Sequence, residues 1–264
     1  TELWRVRRAP DADDLLLRRF EGGDGAIARR EALAMGAARA HDVPVPAVLT
    51  SDTLDNRPVL LTTWCDGISA FESIAASPAV ARSIGELLGE MLGRLHRVAA
   101  PDGMALPDAW ITRGGPALVP LRSQLERVPN AGRLLHLDFH PRNVLMTPDT
   151  VEGVIDWTNT LTGPPHMDLA RSRAILRAVV AGGALPDGML DALHAYEAGL
   201  VEGHARVAGT DPHPELSAAW GLAMTVEDLS GHLGKPGSWV TPSLLDTLRQ
   251  ERDALIAEAV KERM

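Results

Sequence analysis

The pattern of apolar residues changes near Ser69, and this change limits the possible folds more than any other feature of the chain. Before it, short apolar runs alternate with glycine, proline and acidic residues. After it, apolar residues recur every three or four positions over long segments, as on one face of an amphipathic helix. The sequence therefore predicts a small strand-containing part followed by a larger helical part.

The N-terminal part, residues 1–65, has the pattern of a small mixed α/β lobe. "LWRVRR" and "DDLLLRRF" predict two strands around a turn, and "IARREALAMGAARAHD" has the spacing of a helix. Pro44 and Pro46 lack an amide donor, so "VPVPAVLT" cannot continue that helix. "RPVLLTTW" then predicts a buried strand, and "CDG" predicts a turn. The expected order is β-β-α-β-β.

Residues 66–264 predict a larger, mainly helical lobe. In "SPAVARSIGELLGEMLGRLHRVA", Ser77 is the expected N-cap and Pro78 lies in the first turn. "ALVPLRSQLERV" predicts a further helix, and helical spacing continues beyond Pro165. "RLLHLDF", "NVLMT" and "VEGVIDW" predict short strands between these helices. The fold class is therefore α+β with two lobes, and a cleft between lobes is a common ligand site.

Composition and charge argue against several classes of protein. No apolar run reaches the roughly 18 residues that a membrane span needs. The single cysteine, Cys65, precludes an intramolecular disulfide and suits the reducing cytoplasm. The net charge of −9 argues against nucleic acid as a partner and is compatible with a cationic small molecule, although acidity that only aids solubility has the same appearance. The sequence does not indicate an oligomeric state.

The densest polar stretch between apolar runs is His136–Asn143, "HLDFHPRN". Two histidines four residues apart can bind zinc from one face of a helix, but Pro141 and the strand-like flanks disfavour a helix, and no glutamate stands between the histidines. The spacing His-x-Asp-x-x-x-x-Asn is instead that of a kinase catalytic loop. In such a loop Asp138 accepts the proton of the attacking hydroxyl and Asn143 helps to hold Mg²⁺. "GVIDW" supplies the second expected magnesium ligand, Asp156.

"LLHLDFHPRNVL" followed by "GVIDWTNTLTGPPHMDLA" resembles the catalytic segment of the aminoglycoside phosphotransferase and kinase-like family. The resemblance implies a protein-kinase-like fold and an O-phosphotransferase that uses Mg²⁺ with ATP or GTP as co-substrate. In this family His140 is typical of small-molecule kinases, and Asp168 in "GPPHMDLA" supports the catalytic loop. "LGRLHRV", which contains His96, is also similar to the family.

Simpler structural interpretations of these residues stay open at this point. His136 is expected to pack at the base of the loop, and His140 fits a structural role as well as a functional one. Asp168 stands at a helix start, where an ordinary N-cap is possible. Arg142 fits a phosphate contact or, more simply, a solvated surface arginine.

The resemblance also implies a phosphate clamp in the small lobe. A family lysine on the third strand pairs with a helix glutamate; here Arg18 occupies the lysine position and Glu31 the glutamate position. An arginine can form both contacts with a different shape, and a surface ion pair is the alternative for Glu31. Backbone groups of Thr63 and Cys65 in "LLTTWCDG" are expected to meet the purine edge. The family's first strand and phosphate-covering loop are expected ahead of Thr1.

The acceptor is expected on the helical lobe near Asp138. Glu227 and Asp228 interrupt an apolar helix in "AMTVEDLSGHL" and would suit an ammonium-bearing antibiotic, although a solvated face explains them equally. Glu197 and Glu202 are further acidic candidates. The favoured function is phosphorylation of an aminoglycoside-like or other antibiotic. The alternatives are a metabolic kinase for an amino alcohol, sugar or homoserine-like substrate, and a non-catalytic nucleotide-binding module.

Overall fold

The predicted small lobe is present in the computed structural model, which describes residues 1–9, 11–21, 25–104, 109–148, 150–183, 185–186 and 188–261. Its sheet has the strand order Glu2–Arg7, Asp14–Arg19, Arg57–Thr63, Val48–Leu54, and all neighbouring strands are antiparallel. This confirms the order β-β-α-β-β and the α+β class. The elements are β1 (Glu2–Arg7), β2 (Asp14–Arg19), α1 (Gly25–Arg39), β3 (Val48–Leu54) and β4 (Arg57–Thr63).

The rest of the described chain is mainly helical, as predicted, with short strands that frame two loops. The helices are α2 (Ala70–Ala76), α3 (Ala81–Leu95), α4 (Ala109–Thr112), α5 (Arg122–Leu125), α6 (Pro165–Ala181), α7 (Met189–Ala208), α8 (Pro214–Ser230) and α9 (Pro242–Lys261). The strands are β5 (Ile68–Ser69), β6 (Arg133–Leu135), β7 (Val144–Met146), β8 (Val151–Val154) and β9 (Leu161–Gly163). None of the helices in the described ranges is long and apolar enough to cross a membrane.

Ser77 stands at the predicted N-cap position with Pro78 directly after it, but it precedes a 3-10 turn, Pro78–Val80, and not the α-helix itself. Ser77 ends α2, its side chain makes no capping hydrogen bond, and a 3-10 turn separates it from α3, which begins at Ala81. The preceding helix, α2, begins at a capping box: the Ser69 hydroxyl accepts from the Glu72 amide at 3.2 Å, and the Glu72 carboxylate accepts from the Ser69 amide at 2.8 Å. The Ser-x-x-Glu spacing is the sequence signal for the start of α2.

The predicted helix in "ALVPLRSQLERV" is mostly a 3-10 helix. Residues Pro116–Leu121 form the 3-10 segment, and only Arg122–Leu125 form an α-helical turn. Pro120 lies inside the segment and has no amide hydrogen to donate, so a regular α-helix cannot run through it.

Helices α3 and α7 cross at very short distance because glycines face each other at the crossing. A Cβ atom on Gly89 would lie 2.2 Å from the Leu200 carbonyl oxygen, and one on Gly203 would lie 2.1 Å from the Glu86 carbonyl oxygen. Contacts this short leave room only for hydrogen at these positions. The crossing brings His96, which follows α3, to 2.9 Å from His204 near the end of α7.

Replacing Gly89 by alanine is expected to lower the free energy of unfolding by about 1–3 kcal/mol, because the new methyl group fits only if the two helices move apart. Urea denaturation measures the change. Gly36→Ala is the matched control, since Gly36 lies exposed in α1 and a Cβ there meets nothing within 4 Å. There alanine should raise stability by about 0.5–1 kcal/mol. Equal losses at both positions would contradict the steric explanation.

Candidate active site

The polar stretch forms a loop between two short hairpins. It leaves β6, which pairs with β9, and enters β7, which pairs with β8, so its two ends are fixed by separate sheets. Leu137 has a left-handed backbone with φ of 60° although it carries a side chain. The buried Asp168 carboxylate accepts from the amides of His136 at 2.6 Å and Leu137 at 2.8 Å. This strained turn, held from behind, presents Asp138 to the cleft.

Asp138 and Asn143 are in direct contact. The Asn143 Nδ2 donates to the Asp138 carboxylate Oδ2 and to the Asp138 carbonyl, each at 3.0 Å. The Asp138 side chain is 22% exposed, so it can reach a ligand in the cleft. Because the nitrogen of the Asn143 amide is engaged, its oxygen is the atom left to meet a cation.

Asp156 follows β8 at a second left-handed position, with φ of 59°. The Ile155 amide donates to the Asn143 carbonyl at 2.9 Å, which ties this segment to the polar loop. Burial alone would raise the pKa of Asp156, but a hydrogen bond from the Thr158 hydroxyl (2.6 Å) and the charge of Arg18 lower it below its usual value. Asp156 is therefore an ionised carboxylate at neutral pH.

Arg18 links the small lobe to this segment. Its guanidinium contacts the Glu31 carboxylate at 2.7 Å, the Thr158 hydroxyl at 2.8 Å and the Asp156 carboxylate at 3.4 Å. Glu31 is only 3% exposed, so this is a buried ion pair and the surface alternative does not apply. Burial raises the pKa of Glu31 to about 7 in spite of the arginine charge.

The segment after β4 carries the two residues expected at the purine edge. The Thr63 amide already donates to the Ala47 carbonyl at 2.9 Å, so a purine contact at Thr63 would use its carbonyl oxygen. The Cys65 thiol points to β8 and donates to the Glu152 carbonyl at 3.4 Å, and burial raises its pKa. The Cys65 side chain thus faces the helical lobe, which leaves its backbone as the group for a nucleotide.

The two histidines of the loop are structurally engaged. His136 is fully buried: its Nδ1 accepts from the Asp138 amide at 3.2 Å and its Nε2 donates to the Ile155 carbonyl at 3.1 Å. The His140 Nδ1 accepts from the Arg142 amide at 3.3 Å, and burial lowers the His140 pKa. These contacts disfavour zinc binding by the pair, and the described ranges contain no cluster of three or more His, Cys, Asp or Glu side chains placed to hold a metal ion.

Arg142 is exposed but not simply solvated. Its guanidinium lies over the Phe71 ring, 4.1 Å from the ring centroid. This cation–π contact joins the polar loop to α2.

A cavity of about 310 Å³ lies beside Asp138. Its walls include polar residues that sequence reasoning missed, among them Asn159, Arg171 and the half-exposed Trp239. Arg171 follows Asp168 by three residues on α6, and this one-turn spacing was the available signal. Trp239 stands in a loop with no periodicity, and no local signal pointed to it.

Glu227 and Asp228, the acidic pair predicted to bind a cation, line different cavities. Asp228 lies in the cavity wall with its carboxylate 2.6 Å from the Arg171 guanidinium, so its charge is already balanced. Glu227 is exposed and lines a neighbouring cavity of about 410 Å³ together with Arg30 and Arg113. The other two candidates are also paired, Glu197 with Arg173 at 2.8 Å and Glu202 with Arg82 at 2.6 Å.

The sequence model of the phosphotransferase enzyme family matches residues 4–129 and 116–210. The chain belongs to this family. It is therefore a phosphotransferase, and the predicted family is confirmed. No curated protein matches the chain in a sequence comparison.

Solved structures of other phosphotransferases share the fold. A thermostable mutant of aminoglycoside phosphotransferase APH(4)-Ia in its apo form is 15% identical with a TM-score of 0.64, over 98% of this chain and 94% of that one. Another variant of it, in a ternary complex with AMP-PNP and hygromycin B, is 14% identical with a TM-score of 0.63, over 97% and 93%. APH(3'')-Id from Streptomyces rimosus, with ADP and streptomycin, is 20% identical with a TM-score of 0.57, over 84% and 91%.

Replacing Asp168 by alanine in this phosphotransferase is expected to lower the free energy of unfolding by roughly 3 kcal/mol, because two buried backbone amides lose their acceptor. Urea denaturation measures the loss. Asp253→Ala is the control: its carboxylate is 65% exposed in a surface ion pair, and its removal should change stability by less than about 0.5 kcal/mol. An Asp168→Ala variant as stable as the control would refute the supporting role.

Proposed function

We propose that this phosphotransferase is a nucleotide- and magnesium-dependent kinase that phosphorylates a hydroxyl of a small molecule of the antibiotic class. The observation that carries the proposal is the meeting of two lobes at Asp156. The carboxylate lies 3.4 Å from Arg18 of the small lobe, and the Ile155–Asn143 backbone bond joins its segment to the loop of Asp138. Contacts thus link Asp138, Asn143, the Asp156 segment and Arg18, which supports a base, two magnesium ligands and a phosphate-contacting arginine in one site.

The residues at this point fit a magnesium ion. Mg²⁺ prefers oxygen ligands, usually one or two from protein with the rest from phosphate and water. The Asn143 amide oxygen and the ionised Asp156 carboxylate would hold it, and the bound ion would neutralise phosphate charge.

The remaining residues would position and activate the reactants. The Asp138 carboxylate would accept the proton of the acceptor hydroxyl as the oxygen attacks the terminal phosphate. The Arg18 guanidinium, fixed by Glu31 and Thr158, would contact the nucleotide phosphates with two parallel N–H groups.

The nucleotide would be ATP or GTP, held at the Thr63–Cys65 backbone. Structures with the same fold contain AMP-PNP or ADP, which supports a nucleotide co-substrate here. The single free cysteine suits the cytoplasm, the compartment proposed for the reaction.

The acceptor would occupy the cavity beside Asp138. Relatives in fold bind hygromycin B and streptomycin, which supports an antibiotic. The Arg171–Asp228 ion pair favours a second candidate, a neutral sugar or polyol, because the wall of the cavity offers little unbalanced negative charge to a polycation.

Transfer of labelled phosphate from ATP and from GTP to a panel of acceptors tests the proposal. The panel comprises aminoglycosides, macrolides, peptide antibiotics, amino alcohols and neutral sugars. We expect magnesium-dependent transfer to an antibiotic, with a neutral sugar as the outcome that favours the second candidate. A protein that binds nucleotide but transfers phosphate to none of them, and to water no faster than the buffer alone, would be a binding module.

Asp138→Asn is expected to reduce phosphate transfer at least about 100-fold, because the variant keeps the size of the side chain but loses the base. Turnover under saturating nucleotide and the best acceptor of the panel measures the loss. Circular dichroism and the melting temperature should stay as in the parent protein, because Asp138 is partly exposed and outside the core. Near-parental turnover would overturn the assignment of Asp138.

Asp156→Ala is expected to remove the magnesium dependence of nucleotide binding, because a carboxylate is the main protein ligand proposed for the ion. Calorimetric titration of nucleotide with and without Mg²⁺ measures this. Asp52→Ala is the control, since Asp52 lies exposed on β3 and belongs to no part of the proposed site. A magnesium effect of unchanged size in Asp156→Ala would count against the site.

A further inference from the structure

A chain of buried polar side chains runs from the catalytic loop to α7. The Asp168 Oδ2 lies 3.1 Å from the His96 Nε2, and the His96 Nδ1 lies 2.9 Å from the His204 Nε2. The three side chains are at most 3% exposed. His204 stands 36 positions beyond Asp168, and no sequence motif pointed to it.

Asp168, at one end of these hydrogen-bonded side chains, determines which group donates in each bond. Asp168 also accepts two backbone amides, which can only donate, and its pKa is lowered: burial alone would raise it, and the hydrogen bond from His96 and the nearby charges outweigh that. An ionised carboxylate has no proton to give, so the His96 Nε2 must be the donor. In a neutral His96 the Nδ1 is then an acceptor, and the His204 Nε2 must carry the hydrogen of the second bond.

The surroundings of His204, at the other end of these side chains, agree with this assignment of donors and acceptors. Burial lowers the pKa of His204 to about 3, so its ring is neutral. Its Nδ1 is buried and meets no hydrogen-bond partner in the described part of the protein. A buried bare acceptor occurs more readily than a buried N–H without an acceptor. The opposite arrangement, with a charged His96 donating to His204, would leave that costlier N–H at Nδ1.

We infer that His204 is a positioning residue for the catalytic loop: its Nε2–H selects the His96 tautomer that donates to Asp168, and Asp168 then holds the amides of His136 and Leu137. The left-handed turn at Leu137 directly precedes Asp138. The hydrogen bonds from the His136 and Leu137 amides to Asp168 therefore set where the Asp138 carboxylate points. The inference rests on the proposed function only in assigning Asp138 as the base.

The close crossing of α3 and α7 supplies the geometry. Gly89 and Gly93 of α3 face α7 around His204: a Cβ on Gly89 would lie 2.7 Å from the His204 amide nitrogen, and one on Gly93 would lie 3.4 Å from the His204 carbonyl oxygen. The backbone of His204 is thus seated in the glycine surface of α3. A wider crossing would break the 2.9 Å contact between the two rings.

Nitrogen-15 NMR of the whole protein tests the direction of the bonds without any acceptor substrate. We expect the hydrogen of His204 on Nε2, a hydrogen on Nε2 but not on Nδ1 of His96, and a scalar coupling across the bond from His204 to His96. A doubly protonated His96, or a His204 protonated at Nδ1, would overturn the inference. Neither result depends on whether the protein transfers phosphate.

A pair of variants tests the positioning. His204→Gln retains an N–H donor near the place of the Nε2, whereas His204→Leu has none. We expect His204→Leu to reduce kcat by about 10–100-fold with little change in KM for nucleotide, because a small misplacement of the base slows the chemistry more than binding. His204→Gln should recover most of this loss. Equal losses in both variants, or no loss in either, would refute the inference.

Amide hydrogen exchange provides a readout that does not need catalysis. The Leu137 amide should exchange faster in His204→Leu than in the parent protein and His204→Gln. Ser217→Ala is the matched control: Ser217 is 2% exposed, lines the same cavity of about 300 Å³ as His204, and its hydroxyl has no partner in the described ranges. It should leave both exchange and kcat unchanged. Unaltered Leu137 exchange in His204→Leu would show that the chain does not reach the loop.

Discussion

The buried carboxylate of Asp168 is the interaction on which the rest of the site depends. It lies at the first turn of α6 and accepts from the His136 and Leu137 amides and from the His96 ring. A carboxylate without water needs several donors to remain ionised. The strained turn at Leu137 needs a strong acceptor to persist. The amides of the turn supply donors to the carboxylate, and the carboxylate supplies the acceptor that the turn needs. Together they fix the backbone from which Asp138 projects.

The contact between the lobes follows a similar principle. Arg18 bonds to Glu31 within its own lobe and reaches Thr158 and Asp156 across the cleft. Its guanidinium is therefore already oriented for the phosphate contact proposed for it, and a group that is already oriented loses less entropy on binding. The same charge helps to keep Asp156 ionised. Arginine at this position thus orients the group proposed to contact phosphate and stabilises the ionised carboxylate proposed to hold magnesium.

Sequence spacing predicted the parts of the site that are close in the chain or belong to a known pattern. The gaps from Asp138 to Asn143 and on to Asp156 placed these residues in one site, and the fold brings their segments together. Spacing could not reveal Arg171 against Asp228, because that ion pair depends on how α6 packs on α8. Nor could spacing reveal that Glu227 and Asp228 of α8 line different cavities. The capping box at Ser69 and Glu72, which starts α2, was missed although its Ser-x-x-Glu spacing is local.

The sequence by itself determined the class of the fold, the order of its elements and the residue types available for chemistry, because the period of apolar residues and the chemistry of short motifs are local properties. Only the tertiary structure decided which charges are balanced and which donors face which acceptors. The meeting of His96 with His204 depends on two helices touching over glycines, more than a hundred residues apart in the chain. Such contacts arise from packing, and no local pattern records them.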